Sequence, residues 1–326
     1  MGNTKHIETP AEIGIITKIA FSPIKGATMI ETTDALLRTS GLEVANVKDR
    51  EFMVVEANHE DNVHKFITQR EKPRLALIRQ ELYNDSLKLT WAGFDPISIN
   101  LNDRYGEELY VQLHKREITI GIDAGKEIER WLTEHLEAPA KLVRAPRELE
   151  RAASQKYVQN DTVLTYPDSY PIHWFTEQSL AELSKRTFKL SGKESEEEMG
   201  KREISWERLR PNFIIKITNP NLPNQIEHMV NEGIIGEIPG IPFMDPKPCD
   251  RCSVTMVDPK TGEILKDSML LKALAQYQIW ETPDNKRKTI FGEKMLPMGN
   301  CKVSWGNPIV MTSVRDPPLK IHGAKE

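Results

Sequence analysis

Short runs of β-branched and other apolar residues, separated by turn residues, dominate the first half of the chain. They predict strands at residues 13–20, 52–57, 74–79, 86–91, 97–101, 108–114 and 117–122. Strands at this spacing are typical of a sheet that is closed or folded on itself. After them, the apolar positions Ile128, Trp131, Leu132 and Leu136 recur at helical spacing. They predict one helix, which Asp123 can cap at its start.

The second half predicts fewer strands, mixed with helices. Helices are predicted to open at Thr176 and to cover residues 269–278, with strands at residues 213–217, 253–257, 302–304 and 308–312. The proline-rich residues 238–248 and the charged residues 191–202 are predicted as loops. A polar stretch between Val143 and Asp161 separates the halves. It predicts two domains, at residues 13–150 and 155–318.

Composition narrows the class of protein. The 326 residues include 44 Lys and Arg against 48 Asp and Glu, a net charge of −4, so no basic footprint for nucleic acid is present. No apolar run approaches the roughly 20 residues that cross a bilayer. The first ten residues lack the apolar segment of a signal peptide. We therefore expect a cytoplasmic protein without a membrane segment, and leave an association with mitochondria open.

The three cysteines are candidates for metal or redox chemistry. Cys249 and Cys252 form a Cys-x-x-Cys pair, and Cys301 stands apart. A structural zinc site needs four ligands, and a thioredoxin-like dithiol would precede a helix rather than the apolar residues 253–257. Arg251 would favour a thiolate, which is the form that binds a soft metal. Two inert cysteines are the remaining interpretation.

Several cations lie beside predicted strands, at loop ends. They are Lys25, Arg50, Arg70, Arg74 and Arg210. Lysine and arginine at such positions commonly hold phosphate through charge-assisted hydrogen bonds. Ordinary surface charge is the alternative for each of them taken singly.

A set of short segments carries a resemblance to a known family. They are SPIKG at residues 22–26, KDREFMVV at 48–55, ITQREKPRL at 67–75, FTEQSL at 175–180, LRPNF at 209–213, CDRC at 249–252, and TMVDP with TG at 255–262. In this order, they resemble the MOSC superfamily, named after the C-terminal domain of molybdenum cofactor sulfurase. The two-domain branch with the mitochondrial amidoxime-reducing component and its bacterial relatives is the most similar.

The resemblance implies a β-rich α+β fold, with an N-terminal β-barrel-like domain and a C-terminal MOSC β-barrel domain. It implies molybdenum–molybdopterin (the molybdenum cofactor) between the domains, with Cys252 as metal ligand and catalytic residue and Cys249 as the less favoured alternative. The cofactor-binding residues that it implies are Lys25, Gly26, Arg50, Arg70, Ser169, Arg210, Asn212, Asp250, Arg251 and Phe291. Ser169 lies in a DSYP segment at residues 168–171, where Tyr170 replaces a small residue of the family.

The activity implied is two-electron reduction of small N-hydroxylated compounds such as amidoximes, hydroxylamines and N-oxides. Three cysteines do not supply the four that an iron–sulfur cluster takes. We therefore expect a separate electron donor, either a cytochrome b5-type or an iron–sulfur protein with its reductase. A carrier of molybdenum cofactor or sulfur without turnover is the alternative function, and a member that binds no cofactor is a third. Pyridoxal phosphate binding is known from sulfurases of this family that carry an additional domain. A chain of this length has no room for that domain.

Overall fold

The structure, a computed structural model, describes residues 4–57, 62–113, 117–149, 151–156, 160–191, 204–222, 234–265, 269–282, 284, 286–315 and 321–322. The predicted loop at residues 191–202 lies almost entirely outside the described residues. Within them, no helix has both the length and the apolar character needed to cross a membrane.

Strands make up most of the regular structure. In chain order they are β1 (Thr4–Phe21), β2 (Ile24–Lys25), β3 (Ile30–Thr32), β4 (Asp34–Arg38), β5 (Gly41–Val44), β6 (Val47–Lys48), β7 (Phe52–Glu56), β8 (Val63–Lys65), β9 (Arg79–Tyr83), β10 (Ser86–Thr90), β11 (Ile97–Asn100), β12 (Glu108–Gln112), β13 (Ile118–Asp123), β14 (Ala140–Arg144), β15 (Ile172–Thr176), β16 (Phe213–Ile217), β17 (Ile234–Ile238), β18 (Ile241–Asp250), β19 (Ile279–Glu281), β20 (Arg287–Pro297), β21 (Cys301–Ser304), β22 (Pro308–Arg315) and β23 (Ile321–His322). The helices are α1 (Lys126–Leu136), α2 (Glu177–Ser191) and α3 (Leu270–Tyr277), and single 3-10 turns occur at Pro73–Leu77, Trp206–Arg208 and Ser253–Met256. The predicted β-rich α+β fold is confirmed.

A closed barrel is built mainly from the second half of the chain. Its strands run in the order β15, β16, β1, β22, β17, β18 and β20, and β20 pairs back with β15. Apolar side chains from β1 (Ile13, Ile16 and Ile19) are fully buried inside it. Trp174 of β15 and Phe213 of β16 fill the same core. The barrel therefore depends on a strand from the N-terminal end of the chain.

The first half forms a second core. Here the strand order is β2, β7, β14, β13, β12 and β8, with β9, β10 and β11 in a separate meander. Helix α1 buries Ile128, Trp131, Leu132 and Leu136, which are the side chains of the predicted stripe. The predicted cap is wrong: the N-cap residue is Gly125, with no side-chain cap hydrogen bond, and Asp123 instead accepts from the backbone N–H of Gly125 (2.8 Å). The predicted division at residues 13–150 and 155–318 stays a prediction.

Two predicted strands are wrong. Residues 74–79 were expected to be extended, but Pro73–Leu77 is a 3-10 turn that starts with proline, because the proline ring fixes φ in the helical range. Residues 253–257 were also expected to be a strand. Instead, Thr255 donates from both its N–H (3.1 Å) and its hydroxyl (2.9 Å) to the carbonyl of Cys252, which closes a 3-10 turn.

The proline-rich residues 238–248 are not a loop. They form most of the hairpin between β17 and β18, which turns at Gly240 with φ +74°. Strand β18 accommodates its prolines because its register against β20 shifts twice, between Met244 and Lys247 and between Pro248 and Asp250. Proline lacks the N–H that a regular ladder requires, and such irregularities are where strands tolerate it.

Gly14 provides a test of barrel closure by β1. A Cβ at this position would overlap the backbone carbonyl of Lys216 on the paired strand β16. We expect Gly14→Ala to lower the free energy of unfolding by about 3 kcal/mol, measured by urea denaturation. Gly240→Ala is the control, since it meets no atom within 4 Å and carries only the cost of a positive φ, about 1 kcal/mol. Equal effects of the two substitutions would contradict the pairing of β1.

Candidate functional site

Three of the predicted cations converge from both halves of the chain. Lys25 ends β2, Arg50 lies in the turn after β6, and Arg210 follows the 3-10 turn Trp206–Arg208. Both arginines have positive φ angles, 55° and 53°, which residues other than glycine seldom adopt. The chain therefore turns sharply at both positions. The charge of Arg50 acts on both Lys25 and Arg210.

The cations are held by neighbours, with one donor left over. Lys25 Nζ donates to the carbonyl oxygen of Tyr166 (2.7 Å) and to Asp168 Oδ1 (2.5 Å). Arg210 Nη1 donates to the carbonyl oxygen of Ala27 (2.6 Å). Its Nη2 is enclosed and has no hydrogen-bond partner among the described residues. A buried donor without a partner is costly, so this position favours an incoming acceptor.

The electrostatics of this cluster favour an anion. Burial lowers the pKa of Lys25, and the nearby charges of Arg50 and Arg151 lower it further, while Asp168 opposes the change. Burial and the charge of Arg50 lower the pKa of Arg210 to about 9. Each cation is therefore destabilised by its surroundings. A bound dianion such as phosphate would remove that penalty.

A buried carboxylate, Asp49, holds the cluster in place. Its Oδ1 accepts from the backbone N–H of Ser22 (2.7 Å), and its Oδ2 accepts from Asn212 Nδ2 (3.0 Å) and from Arg50. Asn212 is fully buried, and its Oδ1 accepts from the backbone N–H of His173 (3.1 Å). Asn212 is a predicted cofactor contact, but its side chain is hydrogen-bonded to Asp49 and to β15 and thus positions both.

Arg151 supports the site and was not found from the sequence. Its guanidinium is buried and donates to the carbonyl oxygens of Thr165 (2.9 Å), Pro167 (2.7 Å) and Asp168 (3.0 Å). It also pairs with Glu117 (2.7 Å). Arg151 therefore fixes the segment that faces Lys25. Because most of its partners are backbone carbonyls, no residue pattern could have indicated this role.

Three further predicted residues are Gly26, Arg70 and Ser169. Gly26 has φ +95°, and its carbonyl oxygen accepts from the side-chain amide of the buried Gln69 (2.5 Å). Arg70, the next residue after Gln69, is exposed. Ser169 is half-buried, and its carbonyl oxygen accepts from the backbone N–H of Ser154 (3.0 Å).

The two paired cysteines differ in exposure. Cys249 is buried near the end of β18, whereas Cys252 is exposed at the start of the 3-10 turn that follows. Asp250 between them pairs with Lys247 (2.5 Å) and Lys288 (2.8 Å). Partial burial raises the pKa of Asp250, but the two ammonium groups outweigh it and hold that pKa well below its usual range. Asp250 is therefore a carboxylate at neutral pH.

Arg251 ties the cysteine segment to the cation cluster. Its Nη1 donates to Cys249 Sγ (3.0 Å) and its Nη2 donates to the carbonyl oxygen of Leu209 (2.9 Å), the residue before Arg210. Its backbone N–H donates to the carbonyl oxygen of Thr289 (2.8 Å). Within the described part of the chain, its buried Nε has no partner. This guanidinium therefore also keeps one donor for a ligand.

Cys249 lies beside a buried histidine that the sequence analysis missed. Burial raises the pKa of Cys249, but the charges of His173, Lys294 and Arg251 outweigh it and hold that pKa well below its usual range. Burial lowers the pKa of His173, which Cys249 counteracts. His173 Nε2 lies 3.2 Å from the carbonyl oxygen of Phe291, whose ring is buried. Phe291 thus contributes its backbone to this cluster.

A narrow cleft lies beside Arg210 and the residues that follow Cys252. It is lined by Thr28, Met29, Gln69, Ala76, Glu207, Arg208, Arg210, Val254, Val257 and Pro259. Arg210 belongs to the cation cluster, and Val254 lies two residues after the exposed Cys252. The cations can hold an anion, and Cys252 offers an exposed thiol.

Comparison with known proteins identifies the relatives. Residues 13–139 match the MOSC N-terminal beta barrel domain. The chain is 29% identical to mitochondrial amidoxime reducing component 2 of Rattus norvegicus, over 82% of this chain and 73% of that protein. It is 24% identical to mitochondrial amidoxime-reducing component 1 of Danio rerio (88% and 81% covered) and of Homo sapiens (92% and 83%). The resemblance found from the short motifs is confirmed.

The cation cluster generates a prediction about anions. Phosphate at ten times its dissociation constant should stabilise the purified protein by about 1.4 kcal/mol, a rise of roughly 2–4 °C in melting temperature. Chloride at equal ionic strength should have a much smaller effect. Arg210→Gln should abolish most of this gain, because it removes a donor and a charge.

Arg38→Gln is the matched control for this measurement. Arg38 is an arginine on the sheet surface, paired with Glu43 (3.2 Å), and its loss should leave the phosphate effect unchanged. A phosphate effect that survives Arg210→Gln would contradict an anion site at the cluster.

Proposed function

We propose that this chain, which is similar to the MOSC proteins and to the amidoxime-reducing components, is an oxidoreductase that uses the molybdenum cofactor to reduce N-hydroxylated compounds. One observation carries the proposal. Lys25, Arg50 and Arg210 come from separate parts of the chain, and the charge of Arg50 acts on both of the others. Arg210 lines a cleft that Val254, two residues after Cys252, also lines.

The residues present fit the molybdenum cofactor. Its phosphate is a dianion, and the cluster supplies Lys25, Arg50 and the unpartnered Nη2 of Arg210 among the described donors. Its pterin carries further acceptors, for which the Nε of Arg251 is available. Ser169, half-buried next to Asp168, offers a hydroxyl at the same edge. Charge-assisted donors of this kind are the strongest that a protein can direct at a phosphate.

Cys252 is the proposed protein ligand of the metal. It is the exposed member of the pair, and a thiolate suits a soft, redox-active metal. When bound, the cofactor supplies a molybdenum centre that transfers two electrons to the substrate. The chain's own part is to hold the cofactor's phosphate and pterin, to offer the Cys252 sulfur, and to shape the cleft that admits the substrate.

The reaction also needs electrons and protons. For an amidoxime, two electrons and two protons convert the N–OH group to N–H and release water. We infer that the electrons come from a separate cytochrome b5-type or iron–sulfur protein with its reductase. The names of the relatives, mitochondrial amidoxime-reducing components, support the proposed reduction and an association with mitochondria.

The proposed activity is tested by assay of the purified protein. The chain is produced in a host that makes the molybdenum cofactor, and an aromatic amidoxime is supplied with a chemical electron donor. Formation of the amidine, in proportion to molybdenum content, is expected. Retention of molybdenum and pterin without any reduction would contradict the enzyme and would favour the carrier function instead.

Cys252→Ser separates the metal ligand from the phosphate contacts. A hydroxyl is a hard, poorly ionised donor that does not replace thiolate sulfur. We therefore expect this variant to keep much of its pterin, because the cations are unchanged, and to lose nearly all amidoxime reduction. Both quantities are measured on the same preparation. Cys301→Ser, in the half-buried β21 position, is the control and should change neither.

Full activity in Cys252→Ser would remove its thiolate from the mechanism. It would move the metal ligand to another residue of the cysteine segment.

A further inference from the structure

Cys249 is buried, and the proposed mechanism does not use it. Its sulfur accepts a hydrogen bond from Arg251 Nη1 (3.0 Å) and contacts the imidazole of His173. Only 4% of its surface is exposed. Cys252, the other cysteine of the pair, is exposed. This proposed metal ligand lies three residues further along the chain.

The hydrogen bonds of Arg251 connect this buried sulfur to the site. A guanidinium is a rigid, planar group with five donor hydrogens on three nitrogens. Cys249 and the carbonyl of Leu209 take Nη1 and Nη2, which fixes the plane and the direction of the whole group. Nε is then the nitrogen without a protein partner in the described residues. Its direction is set by the two acceptors.

Through His173, the same sulfur is linked to the backbone of two other site residues. His173, which contacts Cys249, has its Nδ1 3.4 Å from the carbonyl oxygen of Arg210 and its Nε2 3.2 Å from that of Phe291. Cys249 therefore lies at the centre of contacts that join Arg251, Arg210 and Phe291. Each of these residues comes from a different part of the chain.

We propose that Cys249 is a positioning residue, whose sulfur orients the Arg251 guanidinium so that its Nε donates to the bound molybdenum cofactor. The inference rests on the proposed function, because it concerns the same cofactor. It assigns the two cysteines different tasks. Cys252 offers its sulfur to the metal, and Cys249 acts through Arg251 on the pterin part of the ligand. Against the effect of burial, the charges of His173, Lys294 and Arg251 lower the pKa of Cys249, which favours the thiolate as an acceptor and supports this assignment.

The test is a double-mutant cycle on cofactor retention. Wild type, Cys249→Ala, Arg251→Gln and the double variant are produced in a cofactor-competent host, and the pterin retained per protein after gel filtration is measured from its fluorescent oxidation product. Loss of a hydrogen bond that involves a charged group should lower retention about tenfold in Cys249→Ala. If Cys249 acts through Arg251, the double variant should retain as much as Arg251→Gln alone.

Two further variants make the result specific. Cys249→Ser restores an oxygen acceptor for Nη1 and should recover part of the retained pterin. Cys249→Val, which has no acceptor, replaces Cys249→Ala in the cycle if that protein does not fold. Cys301→Ala is the control for loss of an unrelated thiol, and should retain pterin as the wild type does. Melting temperatures of all variants without cofactor show whether folding is affected.

The outcomes distinguish the inference from the proposed function. Wild-type retention in Cys249→Ala, or losses that multiply in the double variant, would overturn the role of Cys249 and leave the proposed function intact. A wild-type protein that retains no pterin would overturn both.

Discussion

The buried carboxylate of Asp49 is the interaction on which the rest of the site depends. It accepts hydrogen bonds from Ser22 near β1, from Arg50 beside it, and from Asn212 at the start of β16. Breaking a buried ion pair of this kind leaves an uncompensated charge and costs about 3–5 kcal/mol. Asp49 therefore joins the two halves and also stabilises the half-buried Arg50.

The cluster is nevertheless short of negative charge. Burial and mutual repulsion disfavour the charged forms of Lys25 and Arg210, and the two arginines of the cluster adopt backbone angles that cost energy. Proteins retain such unfavourable features where a bound ligand offsets their free-energy cost. An anionic cofactor is the ligand that fits three features of the described residues at once. They are the cations, the unpartnered guanidinium nitrogens and the exposed thiol.

Much of the fold follows from local pattern. Strands with clear alternation or continuous apolar runs, such as β7, β10 and β13, were predicted to within about two residues. The wrong predictions have local causes. At Pro73–Leu77, at Ser253–Met256 and in β18, hydrogen bonds and proline geometry, rather than the period of apolar residues, decide the conformation. The membership of β1 in the closed barrel is a long-range pairing that no local pattern contains.

The candidate site was predictable only in part. Lys25, Arg50, Arg210 and the cysteine pair stand out as residue types suited to phosphate and metal. Arg151 and His173 were missed, because their roles arise from contacts with backbone carbonyls and with residues far away in the chain. Family resemblance predicted the ligand-binding residues, and the residues that position them required the structure.

The central claim is that one molybdenum cofactor spans the cations and the exposed cysteine. The most direct measurement is a crystal structure of protein from a cofactor-competent host, with an anomalous difference map at the molybdenum absorption edge. The account predicts a molybdenum peak at bonding distance from Cys252 Sγ and a phosphate between Lys25, Arg50 and Arg210. A fully loaded protein whose molybdenum peak or phosphate lies elsewhere would contradict it.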